Sequence, residues 1–204
     1  MTGSAIIREL PARGLRSLLL ALSHRRSLGR LATRTSLTRP LVARFVAGES
    51  LPDALTALAS LTATGLHSTV DVLGESVTSE AQASAAVHAY LATIDALAAA
   101  GLDRNVSLKL TQMGLDLDLE LCRSNAARVF AHAAAAGAFV RIDMEDHTKT
   151  DPTLDLWRDL RAVNPDSGVV IQAALRRSRD DVDRLIAERA RVRLCKGAYR
   201  EPPS

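Results

Sequence analysis

The residues best suited to chemistry lie in the stretch 190–202, close to the end of this 204-residue chain. Val192 and Leu194 alternate with charged side chains, which is the period of a β-strand, and glycine and proline then interrupt the pattern. Arg193 and Lys196 are therefore predicted at the carboxyl end of a strand, the end at which α/β folds bind their ligands.

This stretch could form half of a site for an anionic cofactor. A buried cation costs several kcal/mol unless an anion or an aromatic ring meets it. Gly197 lacks a Cβ, so its backbone could approach a phosphate closely, and Tyr199 offers an aromatic wall. The alternative is a strand end whose cations extend into water. The residue types alone favour neither interpretation.

From residue 67 onward, the chain alternates short predicted strands with predicted helices. The predicted strands are 67–73, 105–110, 138–143, 168–173 and 191–196. The predicted helices between them are 79–100, 118–136, 151–162 and 178–189. Such alternation indicates βαβ units and a parallel sheet. No glycine-rich fingerprint follows the first strand, which argues against a Rossmann dinucleotide site.

The predicted fold class is therefore α/β, a partial (βα)8 TIM-type barrel of about five βα units preceded by N-terminal helices. We expect an N-terminal helical segment over residues 1–65 and a partial barrel domain over residues 66–204. Predicted helices cover residues 6–22, 36–47 and 50–64, the last with Ser50 as its N-cap. A glycine at 101, 137 and 168 is expected to turn the chain from helix to strand.

Charge is uneven along the chain. Residues 1–48 contain nine arginines and one glutamate, whereas residues 49–204 contain 17 basic and 22 acidic side chains. An arginine-rich start could be a mitochondrial transit peptide, or it could bind acidic lipid or nucleic acid. We favour a solvated face on helices, because the segment continues into the domain without a linker. No motif supports nucleic-acid binding.

The amino-acid composition fits a globular domain and gives no sign of a membrane-spanning helix, a disulfide or a zinc site. The chain is 47% hydrophobic, which is enough for one core, and it contains no apolar run of the ~20 residues that a membrane-spanning helix needs. Cys122 and Cys195 lie far apart and fit reduced, buried thiols rather than a disulfide. No pair among the five histidines has the spacing of zinc ligands.

Polar side chains follow the predicted strands at one end. Lys109 stands between leucines and requires an anion, which Asp143 on the neighbouring strand could supply. Gln172, Arg193 and Lys196 end two later strands on the same rim. The acidic cluster near Asp143 could also suggest a hard metal site, an interpretation we do not favour. No nucleophile–base pair is present, so the rim suits a cofactor that carries its own chemistry.

Several stretches also resemble one known family, the proline dehydrogenases, which are FAD enzymes on a distorted (βα)8 barrel. Their motifs occur here in family order over residues 45–203, and the last is the most specific. The matching stretches are Phe-Val-Ala-Gly-Glu at 45–49, Asp-Val-Leu-Gly-Glu at 71–75, Ser-Leu-Lys-Leu-Thr-Gln at 107–112, Arg-Ile-Asp-Met-Glu at 141–145, Ile-Gln-Ala at 171–173 and Arg-Leu-Cys-Lys-Gly-Ala-Tyr-Arg-Glu-Pro at 193–202.

The resemblance implies a role for each matching residue. Lys109 would hold the carboxylate of proline, and Tyr199 would pack on the substrate. Asp143 and Arg193 would be catalytic, with Arg193 near flavin N5. The residues implied to contact FAD are Met144, Gln172, Lys196, Gly197 and Ala198.

The implied reaction oxidises L-proline to 1-pyrroline-5-carboxylate in proline catabolism, with hydride transfer from proline C5 to flavin N5. The reduced flavin would pass electrons to a quinone or another acceptor. The implied location is the bacterial cytoplasm or the inner membrane face, or the mitochondrion in a eukaryote.

Two departures from the family pattern leave alternatives open. Ala174 stands where the family usually has an aromatic residue, and the family's last three strands and its Tyr-x-x-Arg-Arg motif do not occur before Ser204. We therefore expect an N-terminal part of the barrel domain. The alternatives are a non-catalytic half-barrel that needs a C-terminal partner or a homo-oligomer, and an unrelated βα enzyme with a phosphate-binding or Schiff-base lysine at 109 or 196.

Overall fold

Five parallel strands in sequence order form the sheet in the computed structural model, which describes residues 50–74, 76–197 and 199. The strands are β1 (Val70–Asp71), β2 (Asn105–Leu108), β3 (Phe139–Ile142), β4 (Ser167–Gln172) and β5 (Arg191–Cys195). The helices are α1 (Leu51–Ala63), α2 (Glu80–Ala99), α3 (Leu119–Ala135), α4 (Thr150–Leu160) and α5 (Ser178–Ala187), with a 3-10 turn at His147–Lys149. Helices alternate with strands from β1 to β5, so the predicted fold class of a partial (βα)8 barrel is confirmed.

The chain divides into two compact units, residues 1–54 and 55–204, and the sheet belongs to the second. The predicted domain boundary at residue 65 stays a prediction. The predicted helices over 6–22 and 36–47 and the first family motif lie outside the described residues, as does Ala198. None of the helices in the described part is long and apolar enough to cross a membrane.

Capping groups fix where two of the helices begin. Ser79 accepts a hydrogen bond from the Gln82 amide at 3.3 Å, and Asp118 accepts one from the Leu121 amide at 2.8 Å. Each cap satisfies one of the free amides at a helix start, which stabilises the helix by about 1 kcal/mol. The four helices predicted after residue 67 agree with the observed bounds to within a few residues.

Gly168 does not occupy the helix-to-strand turn that the sequence predicted for it. It lies inside β4, where it pairs with Arg191 of β5. A Cβ at this position would overlap the Arg191 carbonyl oxygen and lie 3.1 Å from the Phe139 ring. Glycine is required there by the close approach of neighbouring backbone, whereas the turns after α2 and α3 use glycines with positive φ at 101 and 137.

The hydrophobic core lies between one face of the sheet and the helices. β2 shows the alternation clearly, because Val106 and Leu108 are fully buried in this core. The helices contribute large buried side chains that include Tyr90, Phe130 and Trp157. The residues that alternate with the core positions face the other side of the sheet, and these are the polar side chains of the predicted site.

Four of the five strands are shorter than predicted, and several polar side chains of the site therefore lie just beyond the strand ends. β1 contains two residues instead of seven, and β2 ends at Leu108. Lys109, Asp143 and Lys196 each directly follow the last residue of a strand. The carboxyl edge of the sheet thus presents these side chains from loop positions, as ligand-binding residues of βα barrels are presented.

Candidate active site

An ion-pair network joins the carboxyl ends of four strands. Lys109 Nζ lies 2.8 Å from Asp71 Oδ2 and 3.5 Å from Asp143 Oδ2. Arg193 Nη2 lies 2.5 Å from Asp143 Oδ1. Asp143 therefore bridges the two cations, and two carboxylates balance one ammonium and one guanidinium group.

Ser107 completes this network at its centre. Its hydroxyl donates to Asp143 Oδ1 at 2.5 Å and accepts from Arg193 Nη2 at 3.1 Å. The residue is 2% exposed, so these hydrogen bonds are shielded from water. Shielding strengthens each electrostatic contact and fixes the rotamers of the charged partners.

The hydrogen bond between Arg193 and Ser107 shows that the sheet is curved. Arg193 lies on β5 and Ser107 on β2, with two strands between them. Three strand spacings in a flat sheet amount to about 14 Å, too far for these two side chains to meet. Curvature toward the polar face brings them together, as it does in a barrel interior.

Electrostatics keep Lys109 charged. Partial burial disfavours its ammonium form, but the hydrogen bond to Asp71 and the charges of Asp71 and Asp143 outweigh burial and raise the pKa of Lys109 above its ordinary value. The side chain is 15% exposed, so the cation remains within reach of a small ligand.

Arg141 is a further cation on the same strand face as Asp143. Burial and the charges of Arg193 and Arg191 lower the pKa of Arg141, against the opposing charge of Asp143. Its guanidinium lies 4.7 Å from the centroid of the Phe139 ring, and its Nε is buried without a hydrogen-bond partner. Arg141 therefore adds a positive charge beside the network.

A second group of predicted residues surrounds the end of β4. Gln172 is 3% exposed, and its Nε2 donates to the carbonyl oxygens of Met144 and Glu145 at 2.9 Å each. Gly197 has φ +94°, and a Cβ there would lie 2.9 Å from Gln172 Oε1. These contacts join the loops after β3, β4 and β5.

The remaining predicted residues are more exposed. Lys196 is exposed and forms no ion pair within residues 50–74, 76–197 and 199. Tyr199 is 40% exposed and follows the loop of Gly197. Ala174, at the position where an aromatic residue was expected, donates its amide to the Lys196 carbonyl at 2.9 Å. The loop after β5 is thus hydrogen-bonded to the loop after β4.

Comparison with known proteins identifies the family. The family model described as proline dehydrogenase matches residues 54–202, most of the chain. This chain belongs to the proline dehydrogenase family. The prediction of that family, made from the sequence motifs, is confirmed.

Two relatives illustrate the similarity. Proline dehydrogenase 1 of Bacillus subtilis (strain 168) is 35% identical over 187 residues, which cover 92% of this chain and 62% of the relative. Proline dehydrogenase of Deinococcus radiodurans is 38% identical over 167 residues, which cover 79% of this chain and 54% of the relative. The chain thus spans less than two thirds of the length of these proline dehydrogenases.

Solved structures support the fold. Proline utilization A from Bdellovibrio bacteriovorus, inactivated by N-propargylglycine, superimposes with a TM-score of 0.70 at 28% identity, over 79% of this chain and 20% of that one. A variant of proline utilization A from Bradyrhizobium japonicum, at 23% identity and a TM-score of 0.60 over 84% of this chain and 21% of that one, shows the fold alone.

Two residues that bind the predicted ones in this proline dehydrogenase segment were missed from the sequence. Asp71 pairs with Lys109, and Ser107 donates to Asp143. Ser107 shares a strand face with Lys109, so strict alternation could have found it. Tyr90, which contacts Asp71, carried no signal because it lies on a core face of a helix, and its contacts depend on tertiary packing.

Proposed function

We propose that the protein carrying this segment is an FAD-dependent proline dehydrogenase that oxidises L-proline to 1-pyrroline-5-carboxylate. One observation carries the proposal beyond family membership. Asp143 bridges Lys109 and Arg193 at the carboxyl edge of the sheet, so two charged donors and one acceptor meet where a small zwitterion could bind.

The residues present fit a flavin cofactor. Arg193 and Lys196 supply positive charge, and Tyr199 supplies an exposed ring next to Gly197, which has no Cβ. A polar ring system with attached phosphates needs this set of donors and an apolar surface. We propose that Met144, Gln172, Lys196, Gly197 and Ala198 hold FAD.

We propose that Lys109 binds the substrate. Its ammonium group, kept charged by Asp71 and Asp143, can bind the carboxylate of proline. Tyr199 can pack on the substrate ring because much of its side chain is exposed. Together these two residues would orient the pyrrolidine ring within the site.

Catalysis requires charge to be stabilised as electrons leave the substrate. When bound, FAD would supply the two-electron acceptor for a hydride from proline C5. Arg193 would stabilise the negative charge that develops beside it, and Asp143 with Ser107 would hold the guanidinium in place. The proline nitrogen would lose its proton as the C=N bond of the product forms.

Electrons would leave the protein through a further acceptor. We propose a quinone, on the resemblance to the family, with a cytoplasmic or membrane-peripheral location. A C-terminal half-barrel or a second copy of the chain remains the proposed partner for the edge of the sheet.

Replacing Arg193 tests the proposed chemistry. In the full-length protein, Arg193→Ala should lower kcat by about 100-fold or more, with FAD content per protein little changed, because the guanidinium acts mainly as charge develops. Arg191→Ala is the matched control, since Arg191 lies on the same strand and pairs with Asp166 outside the network. Loss of flavin with unchanged turnover per bound flavin would contradict this assignment.

A further inference from the structure

Tyr90 reaches the site from the helix layer. It lies on α2, is fully buried, and extends through the core to the carboxyl end of β1 and β2. Its hydroxyl lies 2.9 Å from the Ser107 carbonyl oxygen, 3.0 Å from Gln112 Oε1 and 3.3 Å from Asp71 Oδ1. A buried tyrosine used only for packing needs one hydrogen-bond partner, and here a charged carboxylate oxygen also lies within reach of its hydroxyl.

We propose that Tyr90 is a positioning residue that acts through Asp71 to fix the ammonium group of Lys109. This inference rests on the proposed function, because Lys109 is there the group that binds the proline carboxylate. Tyr90 itself does not touch the substrate.

The contacts form a continuous path. The Tyr90 hydroxyl has one proton, and Asp71 Oδ1 is the charged acceptor among its three neighbours, which favours donation to Asp71. Lys109 Nζ lies 2.8 Å from Oδ2 of the same carboxylate. Asp71 is therefore held from both sides, which fixes its plane. Lys109 also contacts Asp143, but at the longer distance of 3.5 Å, so Asp71 is its closer partner.

Gln112 supports the same end of β1. Its Nε2 donates to the Val72 carbonyl at 2.7 Å, and its Oε1 lies 3.0 Å from the Tyr90 hydroxyl. The backbone next to Asp71 and the carboxylate of Asp71 thus both lie close to the Tyr90 hydroxyl group. Burial, and then the negative charge of Asp71, raise the pKa of Tyr90, so the hydroxyl remains a donor throughout the working pH range.

Removing the hydroxyl frees Asp71 to rotate. Lys109 would then move toward Asp143, away from the position in which it meets a carboxylate. The loss would fall on ground-state binding rather than on the chemical step, and it would therefore appear in KM.

The first experiment compares Tyr90→Phe with the parent in the full-length protein. The KM for proline should rise about fivefold to tenfold, since a hydrogen bond to a charged group is lost, while kcat stays within about twofold. Thr93→Val is the matched control, because Thr93 is also buried on α2 and its hydroxyl donates only to the Ala89 carbonyl. This control should leave both constants unchanged.

A second measurement separates positioning from folding. Calorimetric titration with pyrrole-2-carboxylate, which has the ring and the carboxylate, should show the same fivefold to tenfold loss of affinity in Tyr90→Phe. In a Lys109→Met background, Tyr90→Phe should cause no further loss, because the group it positions is gone. Asp71→Asn interrupts the path from its other end and should raise KM at least as much.

The outcomes distinguish the two proposals. Proline turnover by the parent with an unchanged KM in Tyr90→Phe, or an equal loss of affinity in both backgrounds, overturns the positioning role alone. A parent protein that neither oxidises proline nor binds the probe overturns the proposed function.

Discussion

At the level of single residues, two carboxylates in the site neutralise two cations. Asp71 and Asp143 face Lys109 and Arg193, and every pair is partly shielded from water. Removal of one partner would leave another charge uncompensated, which costs more than the pair itself contributes. The network therefore holds its geometry before any ligand arrives, and Asp71 and Asp143 fix where the ammonium group of Lys109 lies.

The buried thiol of Cys122 should be unreactive in the native protein. Burial raises the pKa of its thiol to about 12, with a further contribution from the charge of Glu145. At pH 8 only roughly 1 in 10⁴ molecules would carry the reactive thiolate. A Cys195→Ser variant of the 204-residue polypeptide, in which Cys122 is the remaining cysteine, should thus show no native reaction with Ellman's reagent at pH 8.

The reaction of Cys122 should appear on unfolding, and the unfolded Cys195→Ser protein is the positive control. Rapid labelling of the native variant at pH 8, at the rate of the unfolded one, would contradict the buried placement of Cys122.

The sequence could predict the need of Lys109 for an anion, because a cation between two leucines cannot stand alone. It could not predict that Asp71 would be the nearer partner, nor that Ser107 would join Asp143 to Arg193. Those contacts depend on strand curvature and on where β2 ends, and neither is encoded in local periodicity.

At the scale of elements, the connection from α5 to β5 differs from its counterparts. α2 and α3 end before glycines with φ +65° and +59°, whereas α5 ends before Arg189 with φ +53°. The Ala190 amide closes this turn by donating to the Leu185 carbonyl at 2.9 Å. Arginine in this left-handed conformation costs about 1 kcal/mol relative to glycine.

Arg189→Gly should therefore raise the free energy of unfolding by about 1 kcal/mol, since the strain is relieved and no described hydrogen bond involves the arginine side chain. Urea denaturation followed by circular dichroism would measure the change. Gly137→Ala is the control, and it should destabilise by a similar amount. A less stable Arg189→Gly variant would contradict this account of the turn.

The order and type of these elements could be predicted, because helical and strand periods alternate cleanly from residue 67 onward. Gly168 shows why the rest could not. Its place beside a predicted strand suggested a turn, but contact with Arg191 on another strand is what requires glycine. Close approach between distant segments leaves no local pattern in the sequence.

At the scale of the whole molecule, one face of β5 stands out. Leu194 is 64% exposed and Val192 36% exposed, and both alternate with Arg193, so they lie on the face opposite the site. In the other strands this face packs against helices. Within residues 50–74, 76–197 and 199, β5 also forms one edge of the five-stranded sheet.

A polypeptide of these 204 residues should therefore self-associate. Leu194→Lys should reduce the associated fraction, because a charge on an exposed apolar edge opposes pairing. Light scattering after size-exclusion chromatography would measure the mass. Leu66→Lys, at another exposed leucine that is 55% accessible, is the matched control. A clean monomer of the parent polypeptide would contradict the prediction.

Family membership could be predicted from the sequence, since the motifs at 107–112 and 193–202 occur in order and carry unusual residue types. The parts played by Arg193, Lys109 and Tyr199 stay predictions. They depend on how a cofactor and a substrate meet the carboxyl edge of the sheet.

The proposed reaction requires that the protein bind FAD and reduce it with proline. The visible absorption spectrum of the purified protein should therefore be recorded before and after addition of L-proline, without an electron acceptor. We predict a flavin band that bleaches when proline is added, because substrate electrons would reduce the bound cofactor. A flavin band that proline leaves unchanged, or a protein that stays colourless after FAD is supplied, would contradict it.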